Sequence, residues 1–313
     1  MKYRKVVILI ICLIMGIGGY VFVGNQNVTI DKVTMNHRDL PEDFVGYKIL
    51  QITDLHGKEF GKNQEKLIEK INEVDYEIIL FTGDYVNKDN PDLKPLENLL
   101  KGLNKDVEKY FILGNADVDN SVSTLVKGNE YVDLFTKYNV KSLYPGVKLK
   151  KEDSSIWLTF SPYVAVNEIA MEKPDEVKSI EVDFKEEFAK EYDPFKIEVA
   201  HVPTEINYEN ENIKFYRTNT LKAVDNEWIN WDMSISGHTH GGQARLPFIG
   251  AVGSPNTGLF PGEINIKGVH YYNGRVQYVS PGLGASGPKF LQFRVFNPPT
   301  ISLIELSNNP VQQ

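Results

Sequence analysis

The sequence predicts an α/β fold built on a parallel sheet, because short apolar runs and amphipathic segments alternate along its first half. Residues 47–53, 77–83 and 109–115 are apolar runs of strand length. Between them, residues 63–74 and 95–103 carry apolar side chains at helical spacing. Strands that alternate with helices of this length need crossover connections, and such connections join parallel strands.

The second half of the chain is richer in strands. After residue 145, five short runs have the composition of buried strands: 155–161, 196–201, 232–238, 276–282 and 300–306. An acidic segment, Asn167 to Asp193, lies between them and predicts a solvated surface helix with a loop. Because no internal repeat and no linker follows residue 46, we expect one α/β domain.

The N-terminus predicts a membrane anchor. Residues 6–24 form an uncharged apolar run of 19 residues, close to the ~20 residues with which a helix spans a bilayer. Lys2, Arg4 and Lys5 precede this run, so the positive-inside rule places residues 1–5 in the cytoplasm and the folded domain outside the cell membrane. A cleaved signal peptide is the alternative, although the end of the run lacks an A-x-A-like cleavage site.

Composition limits the remaining choices. We expect residues 25–46 to form a stalk and an edge strand, 47–306 the catalytic domain and 307–313 a C-terminal tail. The only cysteine, Cys12, lies in the apolar run, so the exported part has no disulfide and no thiolate metal site. The net charge of −8 excludes a general nucleic-acid-binding protein, because such proteins need a basic face.

Five polar clusters follow apolar strands at the point where each strand ends. They are Asp54-x-His56, Gly83-Asp84, Gly114-Asn115, His201 and Gly237-His238-Thr239-His240. In open α/β sheets, ligands bind beyond the carboxyl ends of the strands. We therefore expect two Asp, one Asn and four His to meet in a single hollow.

This set of side chains favours a pair of metal ions. Imidazole and carboxylate ligands suit zinc, iron or manganese. Seven ligands exceed what one ion with an open position needs, and they fit two ions that share a bridging carboxylate. Residues i and i+2 at a strand end point the same way, so Asp54 with His56, and His238 with His240, can each address the cluster. Each motif alone is more often turn chemistry or a buried histidine; the ordered set is the informative feature.

The ordered set, together with Asn115-x-Asp117, resembles the signature of the calcineurin-like metallophosphoesterases. Three C-terminal segments are similar to the membrane-anchored, YkuE-type bacterial branch of that family: 237–250, 258–262 and 278–306. The resemblance covers about residues 28–306. It implies a four-layer α/β/β/α sandwich and a hydrolase that acts on a phosphodiester or pyrophosphate, in a lipid, a nucleotide or another cell-envelope substrate.

The resemblance also assigns the ligands of two divalent metal ions, manganese, iron or zinc, around a bridging hydroxide. One ion is held by Asp54, His56 and His240, the other by Asn115, His201 and His238, and Asp84 bridges them. Asp117 matches an acid that supports the ligands without touching a metal. Asn115 and Arg245 are candidates to contact the substrate phosphate, although an arginine in a surface salt bridge is the competing interpretation of Arg245.

Ala116 departs from the family pattern, because that position usually carries a histidine that assists the leaving group. Losing a general acid typically costs about 10²–10⁴ in rate. Three interpretations follow: a hydrolase of phosphodiesters or pyrophosphates whose leaving group needs little help, a hydrolase whose acid comes from elsewhere, such as His270, a tyrosine or the substrate, or a metal-binding module that holds a phosphorylated ligand at the membrane surface. A fourth interpretation, a structural protein whose polar strand ends bind one another, requires no metal.

Overall fold

The structure is a computed structural model, and it describes residues 2–117, 130–160, 175–207, 212–214, 231–254, 257–263, 265–287 and 292–310. Its helices are α1 (Lys2–Gly24), α2 (Glu65–Ile71), α3 (Lys94–Gly102), α4 (Glu130–Lys137) and α5 (Asp175–Phe188). Its strands, in chain order, are β1 (Thr29–Asn36), β2 (Lys48–Ile52), β3 (Ile78–Thr82), β4 (Glu108–Ile112), β5 (Lys141–Ser142), β6 (Gly146–Lys151), β7 (Ser154–Phe160), β8 (Lys196–Val199), β9 (Glu205–Asn207), β10 (Asn212–Lys214), β11 (Met233–Ser236), β12 (Arg245–Leu246), β13 (Gly250–Ala251), β14 (Gly253–Ser254), β15 (Gly258–Leu259), β16 (Gly268–Tyr272), β17 (Arg275–Val279) and β18 (Thr300–Ser307).

Two six-stranded sheets form the body of the protein. The first has the order β1-β18-β2-β3-β4-β5, and the second has the order β16-β17-β11-β8-β7-β6. In the first sheet β2, β3, β4 and β5 are parallel, as their alternation with helices predicts. In the second sheet β7, β8, β11 and β17 are parallel, while β6 and β16 are antiparallel edge strands. Each sheet therefore has a set of carboxyl ends at one edge, where ligands can be collected.

The two sheets pack face to face. Side chains on one face of each sheet form a shared apolar layer, which includes Ile49 and Leu80 of the first sheet and Leu158 and Ile235 of the second. Because successive residues of a strand point to opposite faces, the neighbouring residues form a separate apolar layer on the outside of the first sheet. There Leu50, Ile79, Phe81 and Phe111 pack with residues of the three helices: Leu67 of α2, Leu99 of α3 and Phe135 of α4.

The fourth layer is α5, on the outer face of the second sheet. Trp157 of β7 is buried, and its ring makes edge contacts with Phe184 and Phe188 of α5 at 5.2 and 5.1 Å between ring centroids. The four-layer α/β/β/α arrangement is thus confirmed. α5 is the helix expected in the acidic segment, whose part before Asp175 lies outside the described residues.

The N-terminal helix leads directly into the folded domain. Residues Tyr3–Gly24 of α1 are long and apolar enough to cross a membrane, with a mean hydropathy of 2.9. β1 follows as an edge strand and pairs in parallel with β18, so that Thr29 lies beside Thr300. Between them, the buried Asn25 donates from Nδ2 to Arg294 O at 2.7 Å and accepts from Arg294 N at 2.9 Å. The end of the helix is therefore bonded to the domain.

Candidate metal centre

Six of the seven predicted ligands converge where strands of both sheets end. In each of two groups, Asp54 with His56 and His240, and Asp84 with His201 and His238, the possible ligand atoms lie within 4.8 Å of one another. Asp84 lies next to both groups: its Oδ2 is 3.3 Å from His201 Nε2 and 3.5 Å from His56 Nε2. The two groups are thus neighbours that share a carboxylate.

The backbone at these positions is held in an uncommon conformation. Asp54, His56, Asp84, His238 and His240 have φ values of 54°, 48°, 57°, 69° and 54°. Only a few per cent of residues other than glycine adopt positive φ, and such residues persist where the surroundings over-determine them, often at functional sites. The strand exits are therefore bent in a way that aims side chains, at a local cost in backbone energy.

Two glycines let the backbone approach the carboxylates. A Cβ atom on Gly114 would lie 2.2 Å from Asp84 Oδ1, and one on Gly237 would lie 2.5 Å from Asp54 Oδ2. Real Cβ atoms do not come so close to another heavy atom. These glycines are therefore required by space, which explains why Gly-Asn and Gly-His follow the strands.

Hydrogen bonds fix the orientation of the groups around the centre. His201 Nδ1 bonds to Thr82 O at 2.8 Å, which leaves Nε2 directed at Asp84. Asp54 Oδ2 accepts from Thr53 Oγ1 at 2.9 Å and from His238 N at 3.0 Å, and Asp84 Oδ1 accepts from Ala116 N at 2.8 Å. Outer partners of this kind orient the ligands of a metal and set the histidine tautomer.

Asp117 connects the loops that follow β3 and β4. Its Oδ2 accepts from Asp84 N at 2.7 Å and Gly114 N at 2.8 Å, while Oδ1 accepts from Tyr85 N at 2.7 Å. Burial, with the charge of Asp84, raises the pKa of Asp117 to about 7, and the backbone N–H donors oppose this rise. The carboxylate therefore holds together the two segments that carry Asp84 and Asn115.

A buried arginine lies behind His240. Arg294 is 2% exposed, and its guanidinium donates to Gly284 O at 2.6 Å, Pro281 O at 2.6 Å and His240 O at 3.2 Å. Its Nη2 is also 3.4 Å from His240 Nδ1. Burial lowers the pKa of Arg294 to about 10, and the charge of Asp54 opposes this effect. Arg294 thus ties the Gly237–His240 turn to the C-terminal loops and, through Asn25, to the end of α1.

Burial and mutual charge also control the ionisation of the ligands. Burial, together with His201, lowers the pKa of His238 to about 3, and burial with His56 lowers that of His240 well below its usual value. Burial raises the pKa of Asp54. His201 behaves differently, because Asp84 outweighs the effect of burial and raises its pKa to about 9. Neutral imidazoles and carboxylates are the forms that bind metals, and a bound cation would take the place of the proton between His201 and Asp84.

The donor set fits a pair of cations. Among the described residues, His56 Nε2 and Asn115 Oδ1 are buried and have no hydrogen-bond partner, although a buried polar atom without a partner costs about 1–3 kcal/mol. His238 Nδ1 lies 3.2 Å from His201 Nε2 in a buried pair. A cation beside the first group would give His56 Nε2 a partner, whereas the polar strand ends alone leave both His56 Nε2 and Asn115 Oδ1 without one. This weighs against the interpretation that the strand ends only bind one another.

The structure also shows where the remaining residues singled out in the sequence lie. Ala116 is half-buried and presents only a methyl group. Arg245 pairs with Glu263 and donates from Nη1 to Gly241 O at 2.9 Å, which is the salt bridge of the competing interpretation. His270 lies on the edge strand β16, with Nε2 bonded to Lys267 O at 3.1 Å. His37, which fits no strand-exit pattern and is therefore expected on the surface or in a loop, lies in the loop after β1 and is buried in an edge contact with Phe195.

Three residues that support the site could not be predicted from the sequence. Arg294 lies in the short run Phe293–Phe296, and nothing in that run predicts that the arginine is buried. Asn25 directly follows the apolar run, so the sequence predicts an exposed polar residue at the end of the helix. A third missed residue, Asn297, donates from Nδ2 to His240 O at 2.7 Å. Only their partners in space reveal these roles.

Comparison with known proteins finds a family model, similar sequences and similar solved structures. The model of the calcineurin-like phosphoesterase family matches residues 47–242. YkuE of Bacillus subtilis, described as an uncharacterized metallophosphoesterase, is 26% identical over 280 residues, which cover 86% of this chain and 82% of that protein. The UDP-2,3-diacylglucosamine pyrophosphatase LpxG of Chlamydia trachomatis is 24% identical over 330 residues and covers 93% of this chain and 94% of its own. Among solved structures, the phosphopantetheinyl hydrolase PptH of Mycobacterium tuberculosis matches with a TM-score of 0.39 at 12% identity, over 77% of this chain and 91% of that one.

Proposed function

Because this chain belongs to the calcineurin-like phosphoesterase family, we propose that it hydrolyses a phosphodiester or a pyrophosphate with two divalent metal ions. The observation that carries the proposal is the pair of neighbouring buried ligand groups, in which Asp84 Oδ2 of one group lies 3.5 Å from His56 Nε2 of the other. The similarity to YkuE agrees with the bacterial branch that the C-terminal motifs indicated.

The residues present fit this cofactor. Asp54, His56 and His240 would hold one ion, Asn115, His201 and His238 the other, and Asp84 both. When bound, two such ions supply an activated water and stabilise the charge on the attacking and leaving oxygens of a phosphoryl group.

The chain's own groups hold this arrangement in place. Asp117 fixes the loops after β3 and β4 through backbone N–H groups, and His201 keeps its Nε2 toward Asp84 because Nδ1 is bonded to Thr82 O. Arg294 and the glycine contacts hold the strand exit at His240. Preorganised groups of this kind need no rearrangement as charge develops on the substrate.

Ala116 defines which esters such a site would cleave well. Its methyl group has no proton to give, while its backbone N–H is used to hold Asp84. A leaving group must then depart without help from this position, which favours activated diesters and pyrophosphates over alkyl esters. The name of LpxG, a pyrophosphatase that acts on UDP-2,3-diacylglucosamine, supports a pyrophosphate linked to a lipid as the substrate class.

We place the site outside the cell, on the membrane. α1 is long enough to span a bilayer, and the basic residues before it favour a cytoplasmic N-terminus. The enzyme would then act on molecules at the outer surface of the cytoplasmic membrane.

The same alanine supports a second candidate function. With every presumed ligand present and the general acid absent, the protein could bind metals and a phosphorylated ligand without turnover. Metal binding is common to both candidates, so only an activity assay separates them.

The test uses the full chain in detergent micelles with manganese. Bis(p-nitrophenyl) phosphate, p-nitrophenyl phosphate and a plain alkyl phosphate ester are compared for the wild type, Asp84→Asn and Ala116→His. We expect the wild type to cleave the activated diester, Asp84→Asn to be inactive, and Ala116→His to gain 10-fold or more on the alkyl ester, within the range of a general acid. Stoichiometric metal without turnover of any ester supports the binding module, and turnover of the alkyl ester by the wild type shows that an acid comes from elsewhere.

A further inference from the structure

Exposed apolar side chains cluster on the loops that follow the last metal-binding motif. Outside α1, ten large apolar side chains of the described residues are exposed, and seven of these lie between residues 246 and 296. We call this set the apolar rim: Leu246, Phe248, Ile249, Leu259, Phe260, Phe293 and Phe296. Phe248 is fully exposed and Leu259 is 79% exposed. Single exposed apolar residues are ordinary, whereas a contiguous patch marks an interaction surface.

The rim is also depleted of charge. No charged residue lies between Arg245 and Glu263 in the sequence, and these two residues pair with each other. The whole chain carries a net charge of −8. An uncharged surface with exposed phenylalanines on a protein of this composition indicates a partner that accepts apolar side chains.

The rim is continuous with the membrane-spanning helix. Phe296 contacts Tyr20 of α1 at 5.4 Å between ring centroids. The next residue back, Val295, accepts from Arg245 N at 2.9 Å and bridges to Ala244, which places the β12–β13 hairpin beside the same loop. The hairpin carries Phe248 and Ile249 at its tip.

The position of Tyr20 sets the depth of this contact. Tyr20 lies four residues before the end of α1 at Gly24, which corresponds to ~6 Å along a helix axis. A helix of this length has little excess over the ~30 Å hydrocarbon core. If α1 spans the bilayer, the contact between Tyr20 and Phe296 therefore lies at the boundary between the hydrocarbon and the headgroups, where Tyr and Trp are enriched in membrane proteins.

The rim also adjoins the metal centre. His240 leads through Gly242 into β12, and Ser254 of β14 donates from Oγ to Thr239 O at 3.3 Å. The loops that carry Phe248 and Phe260 thus begin at the turn that carries His238 and His240.

We propose that the apolar rim inserts into the outer headgroup region of the bilayer beside α1, so that the metal centre faces the membrane surface. This rests on α1 spanning the membrane and not on the hydrolytic activity. A bilayer is favoured over a second copy of the chain because the Tyr20–Phe296 contact already places one end of the rim at the depth of the lipid headgroups. If the proposed function is also correct, insertion of the rim implies a substrate whose phosphate is attached to a lipid in the same membrane.

The first experiment measures insertion without reference to activity. Full-length protein with Phe248→Trp is placed in phosphatidylcholine vesicles, with and without brominated acyl chains, and the wild-type tryptophan emission is subtracted. The matched control is Tyr192→Trp, because Tyr192 is fully exposed in the loop after α5 and lies outside the rim. We expect the emission of Trp at position 248 to be shifted to the blue and lost in brominated lipid, and that of position 192 to be unchanged.

Two results would overturn the proposal. Emission from position 248 that matches the water-exposed control shows that the rim stays in solvent. Emission that is shifted to the blue yet insensitive to brominated lipid shows that another protein surface, such as a second copy of the chain, covers it.

The second experiment tests the substrate class. The variant Phe248→Ser with Leu259→Ser is compared with the wild type on UDP-2,3-diacylglucosamine in vesicles and on soluble bis(p-nitrophenyl) phosphate. We expect the variant to lose kcat/KM only on the lipid substrate. Equal values for variant and wild type on the lipid refute the lipid-linked substrate class, and a wild type inactive on both substrates refutes the proposed hydrolysis while leaving the insertion result intact.

Discussion

Replacing Asp117 by asparagine tests how the loops after β3 and β4 are held. The two carboxylate oxygens accept from four backbone N–H groups: Oδ2 from Asp84 and Gly114 at 2.7 and 2.8 Å, and Oδ1 from Tyr85 and Val86 at 2.7 and 3.4 Å. An asparagine keeps one acceptor oxygen, and its NH₂ group must face the other pair of donors. In the better orientation it loses the bonds to Tyr85 and Val86.

The expected loss of stability follows from these bonds. A buried donor left without an acceptor costs about 1–3 kcal/mol, and one of the two lost bonds is long. We therefore expect the free energy of unfolding to fall by about 2–4 kcal/mol, and the affinity for metal to fall because Asp84 and Asn115 stand on the loosened segments.

Urea unfolding of the full chain in detergent micelles at pH 8 measures this loss. The matched control is Asp232→Asn, because Asp232 Oδ2 accepts one backbone bond, from Lys196 N at 2.7 Å, which an asparagine oxygen can keep. The control should change the free energy of unfolding by less than about 1 kcal/mol. If Asp117→Asn unfolds at the same urea concentration as Asp232→Asn, the carboxylate of Asp117 does not hold the two loops together.

Three further predictions concern the surroundings of the centre. Gly114→Ala should abolish metal binding, measured by elemental analysis, because its Cβ would lie 2.2 Å from Asp84 Oδ1, whereas Gly253→Ala, with no contact closer than 3.5 Å, should bind metal normally. Asn25→Ala should lower the free energy of unfolding by about 2–4 kcal/mol, because two buried backbone groups of Arg294 lose their partner; unchanged thermal unfolding would contradict this. Chelation should lower the melting temperature and manganese should restore it, since free metal at 100 times Kd adds about 2.7 kcal/mol; a melting temperature insensitive to chelator would count against bound metal.

The sequence was most informative where structure is local. The alternation of apolar runs and amphipathic segments predicted β2, β3 and β4 as parallel strands, and the structure confirms them. The helix expected over residues 63–74 is shorter, because Asn63 and Gln64 have positive φ and the regular part of α2 begins at Glu65. The positions of polar residues at strand ends likewise predicted six carboxylate or imidazole ligands that the structure places together.

Contacts between residues far apart in the chain could not be predicted from the sequence. β1 and β18 pair although Thr29 and Thr300 are 271 residues apart. The hydrogen bond from Arg294 to His240 O depends on how the C-terminal loops pack. A single arginine among phenylalanines does not predict that bond from the sequence. The apolar rim is similar: its residues are ordinary for a buried segment, and only their exposure in the folded molecule makes them informative.

If Asp84 joins two metal sites, its loss should remove metal from both, and this is measured as the metal content of the purified full-length protein. Elemental analysis of the wild type, Asp84→Asn and the control Asp232→Asn, each saturated with manganese and freed of excess, compares the number of ions per chain. We predict two divalent ions in the wild type and in the control, and less than one in Asp84→Asn. A wild type without bound divalent metal, or an Asp84→Asn variant that still holds two ions, would show that Asp84 does not join two metal sites.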